Sequence, residues 1–185
     1  MTNRKKSGWA LIVATAALLC FFLVPSTYNP FFNRVTLKGH TPPTVGQSEL
    51  VGHSDPNAVQ TVVIGLALRN EADLEKLIDE QDDPNSPNYQ KYLTADEFKQ
   101  SHSPEQADVD AVTDYLKTTG LTVVDVSDNR TLIEVEGTTE QFEKAFKVKL
   151  NRYRLQQAGA VGGRVEFVSN DADPSIPTNL QSIIV

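Results

Sequence analysis

LTVVDVSDNRTLIEVEGTTEQFEKAFKVKLNRYR, Leu121 to Arg154, is the stretch from which the fold is read. Leu121 to Val126 is rich in β-branched residues and reads as a strand, Ser127 to Arg130 as a tight turn, and Thr131 to Glu136 as the antiparallel return. In the return, Ile133 and Val135 alternate with Glu134 and Glu136, the period-two pattern of a strand with one wet face. Thr138 followed by Gln141 is a capping box, and Phe142, Ala145 and Phe146 form the apolar face of a short helix. Val148, Leu150, Arg152 and Arg154 then alternate with Lys149, Asn151 and Tyr153 as a further strand.

Upstream, Val62, Ile64, Leu66 and Leu68 alternate with Val63, Gly65 and Ala67, which predicts another strand. Asn70 is placed to cap the next helix, with Glu71 and Asp73 in its first turn and Leu74, Leu77 and Ile78 as its apolar stripe. In Ser103-Pro104-Glu105-Gln106, Ser103 as N-cap, Pro104 at the first helical position and Gln106 as a capping-box glutamine predict the start of a second helix lined by Val109, Val112 and Leu116 and stopped at Gly120. The order strand, helix, strand, strand, helix, strand is that of an α+β, ferredoxin-like split βαβ fold: an antiparallel sheet with helices on one face. An extra helix and a connection enlarge it. That connection, DPNSPNYQKYLTADEF from Asp83 to Phe98, is too broken by proline to be an element and too aromatic for a plain surface loop. Tyr89, Tyr92, Leu93 and Phe98 are expected either to close the core beneath it or to contact a partner.

Past the last strand, 159–163 reads as a flexible loop and Val165 to Val168 as an edge strand. Ile176, Leu180, Ile183 and Ile184 have the spacing of a short closing helix. Residues 28–57, rich in proline and glycine without a sustained period, read as a linker before a domain spanning 58–185. His40 and His53 fall in that linker without cysteine or clustered carboxylates nearby, so they read as solvated and no metal is expected. At the amino end, Arg4, Lys5 and Lys6 precede an uncharged apolar run over residues 8–24. Residues 1–27 therefore read as a signal peptide or a membrane anchor helix, with the rest exported. Cys20, the single cysteine, lies inside that run, so the exported part has no disulfide and no cysteine nucleophile. Residues 58–185 carry 12 Lys and Arg against 22 Asp and Glu, a balance of −10, which disfavours nucleic acid as a partner.

Several ordered motifs together resemble the activation domain, or prosegment, of serine-carboxyl peptidases of the sedolisin and kumamolisin type. They are LALRNEADLEKLI at Leu66 to Ile78, DPNSPNYQKYLTADEF, SPEQADVDAVTDYLKTTGLTV at Ser103 to Val123, VEGTTEQFEKAFKVKLNRYR at Val135 to Arg154 and SIPTNLQSIIV at Ser175 to Val185. The resemblance implies a ferredoxin-like prodomain that assists folding of a peptidase catalytic domain and blocks its cleft until acid triggers processing. The family's Glu, Asp and Ser catalytic residues and its calcium loop belong to that other domain, and no Gly-Thr-Ser occurs here. No catalytic, cofactor-binding or metal-ligating residue is therefore assigned to this chain. Three roles remain open: inhibitor and folding assistant of a separate peptidase, amino-terminal part of a peptidase precursor, and membrane-anchored domain with a new partner.

Overall fold

The computed structural model describes residues 33–156 and 164–185. Its centre is the expected hairpin, β4 (Thr122–Val126) and β5 (Leu132–Thr138), closed by a turn in which Arg130 takes φ 58° and Ser127 donates its N–H to the Leu132 carbonyl at 3.0 Å. Asn129 Oδ1 steadies the turn by accepting from the Thr131 hydroxyl at 2.8 Å. The other edge of β5 takes β3 (Val59–Gly65), in unbroken antiparallel register from Val59 opposite Thr138 to Gly65 opposite Leu132. Strand order is thus β3-β5-β4, and the alternation fixes the faces: Ile64, Ile133 and Val135 point inward and are buried.

Two helices cover that inner face. α3 (Gln106–Thr118) buries Val109, Val112, Tyr115 and Leu116, and α4 (Thr139–Phe146) buries Phe142 and Ala145, all in one cluster with the sheet. Each Val, Leu or Phe side chain among them contributes about 1.5–3 kcal/mol on leaving water, offsetting the chain entropy lost on ordering. Thr138 and Gln141 form the expected capping box, and Gln141 Nε2 also reaches the Gly120 carbonyl at 2.7 Å, fastening the start of α4 to the end of α3. Gly120, at φ 87°, ends α3 as expected, with Leu121 and Gly120 donating back to Leu116 and Lys117. The start of α3 differs from expectation. Glu105, not Ser103, is the cap, in a capping box with Asp108, because Ser103 and Pro104 are themselves fully buried and cannot turn outward.

The larger departure concerns β6 (Leu150–Gln156). In a split βαβ sheet it would lie beside β3; here it pairs antiparallel with β2 (Glu49–His53) and β7 (Arg164–Asn170) in a second sheet of order β2-β6-β7. A third ladder joins β1 (Arg34–Thr36) to β8 (Ser175–Pro177). The stretch expected to be a linker therefore contributes two strands, which were hidden because one is three residues long and the other is broken at Leu50/Gly52. Residues 1–27, read as signal or anchor, lie outside the described residues. Among those described, no helix is long and apolar enough to cross a membrane.

The carboxyl end is not the expected helix. Ser175–Pro177 is a strand, Thr178–Leu180 a 3-10 turn, and Ile184 bridges Leu66 antiparallel. The spacing of Ile176, Leu180 and Ile184 marks burial, which they share, but Ile176 is paired with Val35 of β1, Ile184 bridges Leu66 beyond β3, and Leu180 closes only a local turn, its carbonyl accepting from the Ile183 and Ile184 N–H groups. Ile183 accepts from Ala67 N–H at 2.8 Å and Val185 donates to the Gly65 carbonyl at 3.1 Å. This tail takes one end of the β3 edge that β6 would have occupied. The rest of that edge borders a recess of about 240 Å³ whose lining includes Val62, Phe142, Phe146, Val148 and Leu150.

Between β3 and α3 the chain makes an excursion of two helices, α1 (Glu71–Asp82) and α2 (Ala95–Ser101). Asn70 stands at the cap position of α1 but in the left-handed region, φ 51°, and sends its amide to the Ser101 carbonyl at 3.0 Å instead of capping. α2 begins inside the segment expected to hold no element, Asp83 to Phe98, and runs three residues past it. Its start is a capping box, Thr94 with Glu97, whose Thr-x-x-Glu signature is present in the sequence. The Thr94 N–H and hydroxyl hold the Glu97 carboxyl below the ordinary glutamate range.

Candidate docking surface

The outer face of the β3-β5-β4 sheet has no helix on it among the described residues. The period-two rule that buries Ile64, Ile133 and Val135 turns their neighbours outward: Val63 is 57% exposed and Leu132 48%. A register shift between Val123 and Asp125 leaves Val124, 52% exposed, as the extra residue and sets Asp125 against Glu134. Carboxylates are interleaved with these side chains, Glu134 opposite Val63 and Glu136 opposite Thr61. The result is a firm, twisted platform carrying an apolar strip flanked by negative charge. Such a surface suits a partner that offers apolar side chains beside Lys or Arg. The alternation of Glu134 and Glu136 was visible in the sequence; that no described helix would cover them was not.

The four residues singled out in the connection separate into two pairs. Tyr92 is 71% exposed and Tyr89 40%, whereas Leu93 and Phe98 are half-buried, Phe98 lying against the His102 ring at 5.8 Å. None of the four belongs to the hydrophobic core cluster. The connection is stitched down by polar bonds instead: Gln81 Nε2 donates to the Lys91 carbonyl at 2.7 Å, Gln90 N–H to the Gln81 carbonyl at 3.1 Å and Asn88 Nδ2 to Glu80 at 2.6 Å. At its base, Arg69 donates to the Ser103 carbonyl at 2.5 Å, the Gln100 carbonyl at 2.7 Å and Glu105 at 3.0 Å. The excursion is therefore held in place by hydrogen bonds while leaving its two tyrosines outward.

Of the two histidines expected to be solvated, His40 is exposed and His53 departs from expectation. His53 is not merely solvated, since its Nε2 lies 2.6 Å from Glu143 Oε1. His102 is buried at the end of α2, with Nδ1 3.2 Å from the Arg69 carbonyl. Arg34, from the stretch expected to be a linker, donates to the Ala145 and Ser175 carbonyls and, at 3.2 Å, to the Tyr115 hydroxyl. It thereby places a cation at the carbonyl end of α4, the favourable end for positive charge. Burial pushes the Tyr115 phenol up, and Arg34 opposes that.

Residues 46–185 match the family model described as the pro-kumamolisin activation domain. The chain belongs to that family. Two relatives agree with it: xanthomonalisin of Xanthomonas sp. (strain T-22), 33% identical over 119 residues, and sedolisin of Pseudomonas sp. (strain 101), 31% identical over 123 residues. These alignments take in 64% and 66% of this chain but only 14% and 20% of those proteins. Activation domains of this kind are propeptides of sedolisin-type peptidases and are distinct from the catalytic domain. The match begins at residue 46 and so takes in β2, part of the stretch expected to be a linker.

Proposed function

We propose that this activation domain binds the catalytic domain of a serine-carboxyl peptidase, blocks its cleft and assists its folding, and that it docks through the open face of the β3-β5-β4 sheet. The uncovered strip of Val63, Val124 and Leu132 beside Glu134 and Glu136 is the observation that supports this. Tyr89 and Tyr92 supply a second contact region on the excursion. Carboxylates that pair with basic groups of a partner have a lowered pKa in the complex. Their contribution to binding is complete above the free value and is lost as pH falls through the bound one, so acid releases the domain. The basic flank and apolar run at the amino end support export, with residues 1–27 acting as signal or anchor.

The test measures inhibition of a sedolisin-type catalytic domain by the purified chain and by a Val63→Lys, Leu132→Lys variant. Inhibition at least about tenfold weaker, roughly 1.4 kcal/mol, with an unchanged melting temperature is the expected result. Equal inhibition by both would remove the sheet face from the interface. No inhibition by the wild-type chain would remove the inhibitory role itself.

A further inference from the structure

Glu143 stands where the two sheets of the fold are fastened together. It projects from the last turn of α4 with only 9% of its side chain exposed. His53 of β2 brings Nε2 to 2.6 Å from Oε1, Leu150 at the start of β6 donates its backbone N–H to the same oxygen at 2.8 Å, and Lys149 Nζ donates to Oε2 at 2.9 Å. One carboxylate thus ties a helix of the first layer to two neighbouring strands of the second sheet. The other charged groups around it are Glu140, Lys144 and Lys147 from α4 and its end, and Asp171 after β7.

We propose that Glu143 is a proton-operated clasp: ionised, it holds β2 and the start of β6 against α4, and protonated, it lets them open while the β3-β5-β4 core stays folded. The chemistry follows from the partners. Lys149 and the Leu150 N–H offer hydrogens only, as does the His53 ring once both its nitrogens carry one, so a proton on Oε2 meets an ammonium and one on Oε1 meets an amide and an imidazolium. The helix gives no help, because the last turn of α4 presents carbonyls to a carboxylate. Burial pushes the Glu143 carboxyl up, but the bonds from Lys149, the Leu150 N–H and His53 outweigh it and hold the group below the ordinary glutamate value. A lowered folded-state pKa means that the clasp is complete above the unfolded value and is lost as pH falls through the folded one. On the far side of α4, Phe142 and Ala145 are buried in the core and the Ala145 carbonyl accepts from Tyr115 and Arg34, donors that added protons do not remove, so the helix has reason to stay while the strands leave.

This device lies within the chain and needs no peptidase, so its test stands apart from the docking reading. Amide hydrogen exchange on the whole chain is followed from pH 6 down to pH 3 and corrected for the intrinsic pH dependence of exchange. The Leu150 amide and those of β2 are expected to lose protection by about tenfold or more relative to the Val112 amide in α3. Glu143→Gln should show that loss already at pH 6, with a flat profile below it. Protection of β2 and β6 that tracks α3 throughout, or a Glu143→Gln profile matching wild type, would overturn the proposal. If the variant does not fold, the wild-type Glu143 carboxyl carbon shift gives the answer, since its midpoint must coincide with that of the Leu150 amide; separate midpoints count against the clasp.

Discussion

Gly137 and Leu121 touch so closely that no side chain fits between them: a Cβ on Gly137 would stand 2.4 Å from Leu121 Cδ2 and 3.0 Å from Gln141 Oε1. Leu121 is buried and Gln141 is committed to the capping box of α4, so neither can step aside freely. Gly137→Ala is expected to destabilise the domain by about 1–3 kcal/mol, the range for overfilling a packed site. Urea denaturation with unchanged slope and a lowered midpoint is the measurement that checks it.

Arg69 governs the excursion and not the core. Its guanidinium reaches Ser103, Gln100 and Glu105, and its backbone N–H donates to the His102 carbonyl at 2.7 Å. Arg69→Met keeps the aliphatic stem and removes three side-chain bonds, each of the order of 1 kcal/mol. Limited proteolysis is expected to cut near Tyr89–Tyr92 at least about tenfold faster, while exchange protection of Val112 is unchanged. Loss of protection throughout the domain would show that the excursion folds with the core.

Tyr92 projects into solvent and is absent from the core cluster. Tyr92→Ala should therefore change the melting free energy by no more than about 0.5 kcal/mol. Against a peptidase domain the same variant should bind at least about tenfold more weakly if the tyrosine meets the partner, as an aromatic anchor does. A large fall in melting temperature would instead assign Tyr92 to holding the fold.

Asp173 is a second acid-sensitive fastening. Its carboxylate accepts from Gly39 N–H at 3.0 Å, from Thr41 N–H at 2.8 Å and from the Thr41 hydroxyl at 2.9 Å. The Gly39 N–H and the Thr41 hydroxyl lead in holding it below the ordinary aspartate value. With the folded value lowered, the stabilisation is present above the unfolded pKa and drains away as pH falls through the folded one. Asp173→Asn should accordingly be less stable than wild type at pH 6, with the gap closing toward pH 3. A gap independent of pH in urea titrations would refute the ionic origin.

Local signals carried the first sheet. The hairpin from Thr122 to Thr138, the alternation of Ile133 and Val135, the Thr138–Gln141 box and the Gly120 stop each involve residues within a few positions of one another, and the structure keeps all of them. The candidate docking face was half legible: Glu134 and Glu136 were read as outward, but Val63 beside them became significant only when no helix among the described residues lay over it. Of the connection residues, the two tyrosines proved outward, while Leu93 and Phe98 took half-buried positions that their shared apolar character did not distinguish.

By itself, the sequence determined which segments become strands and helices in the β3-β5-β4 layer, because side-chain period and caps act over one or two turns. Only the tertiary structure decided that β6 leaves β3 for β2 and β7, that the tail from Ile183 to Val185 takes the vacated edge, and that His53 meets Glu143. Those pairings join residues as far apart as 90 and 118 positions, Glu143 with His53 and Ile184 with Leu66. A strand's period tells which face is apolar but not which edge its N–H and C=O groups will find, and that choice is made by the packing of the whole chain.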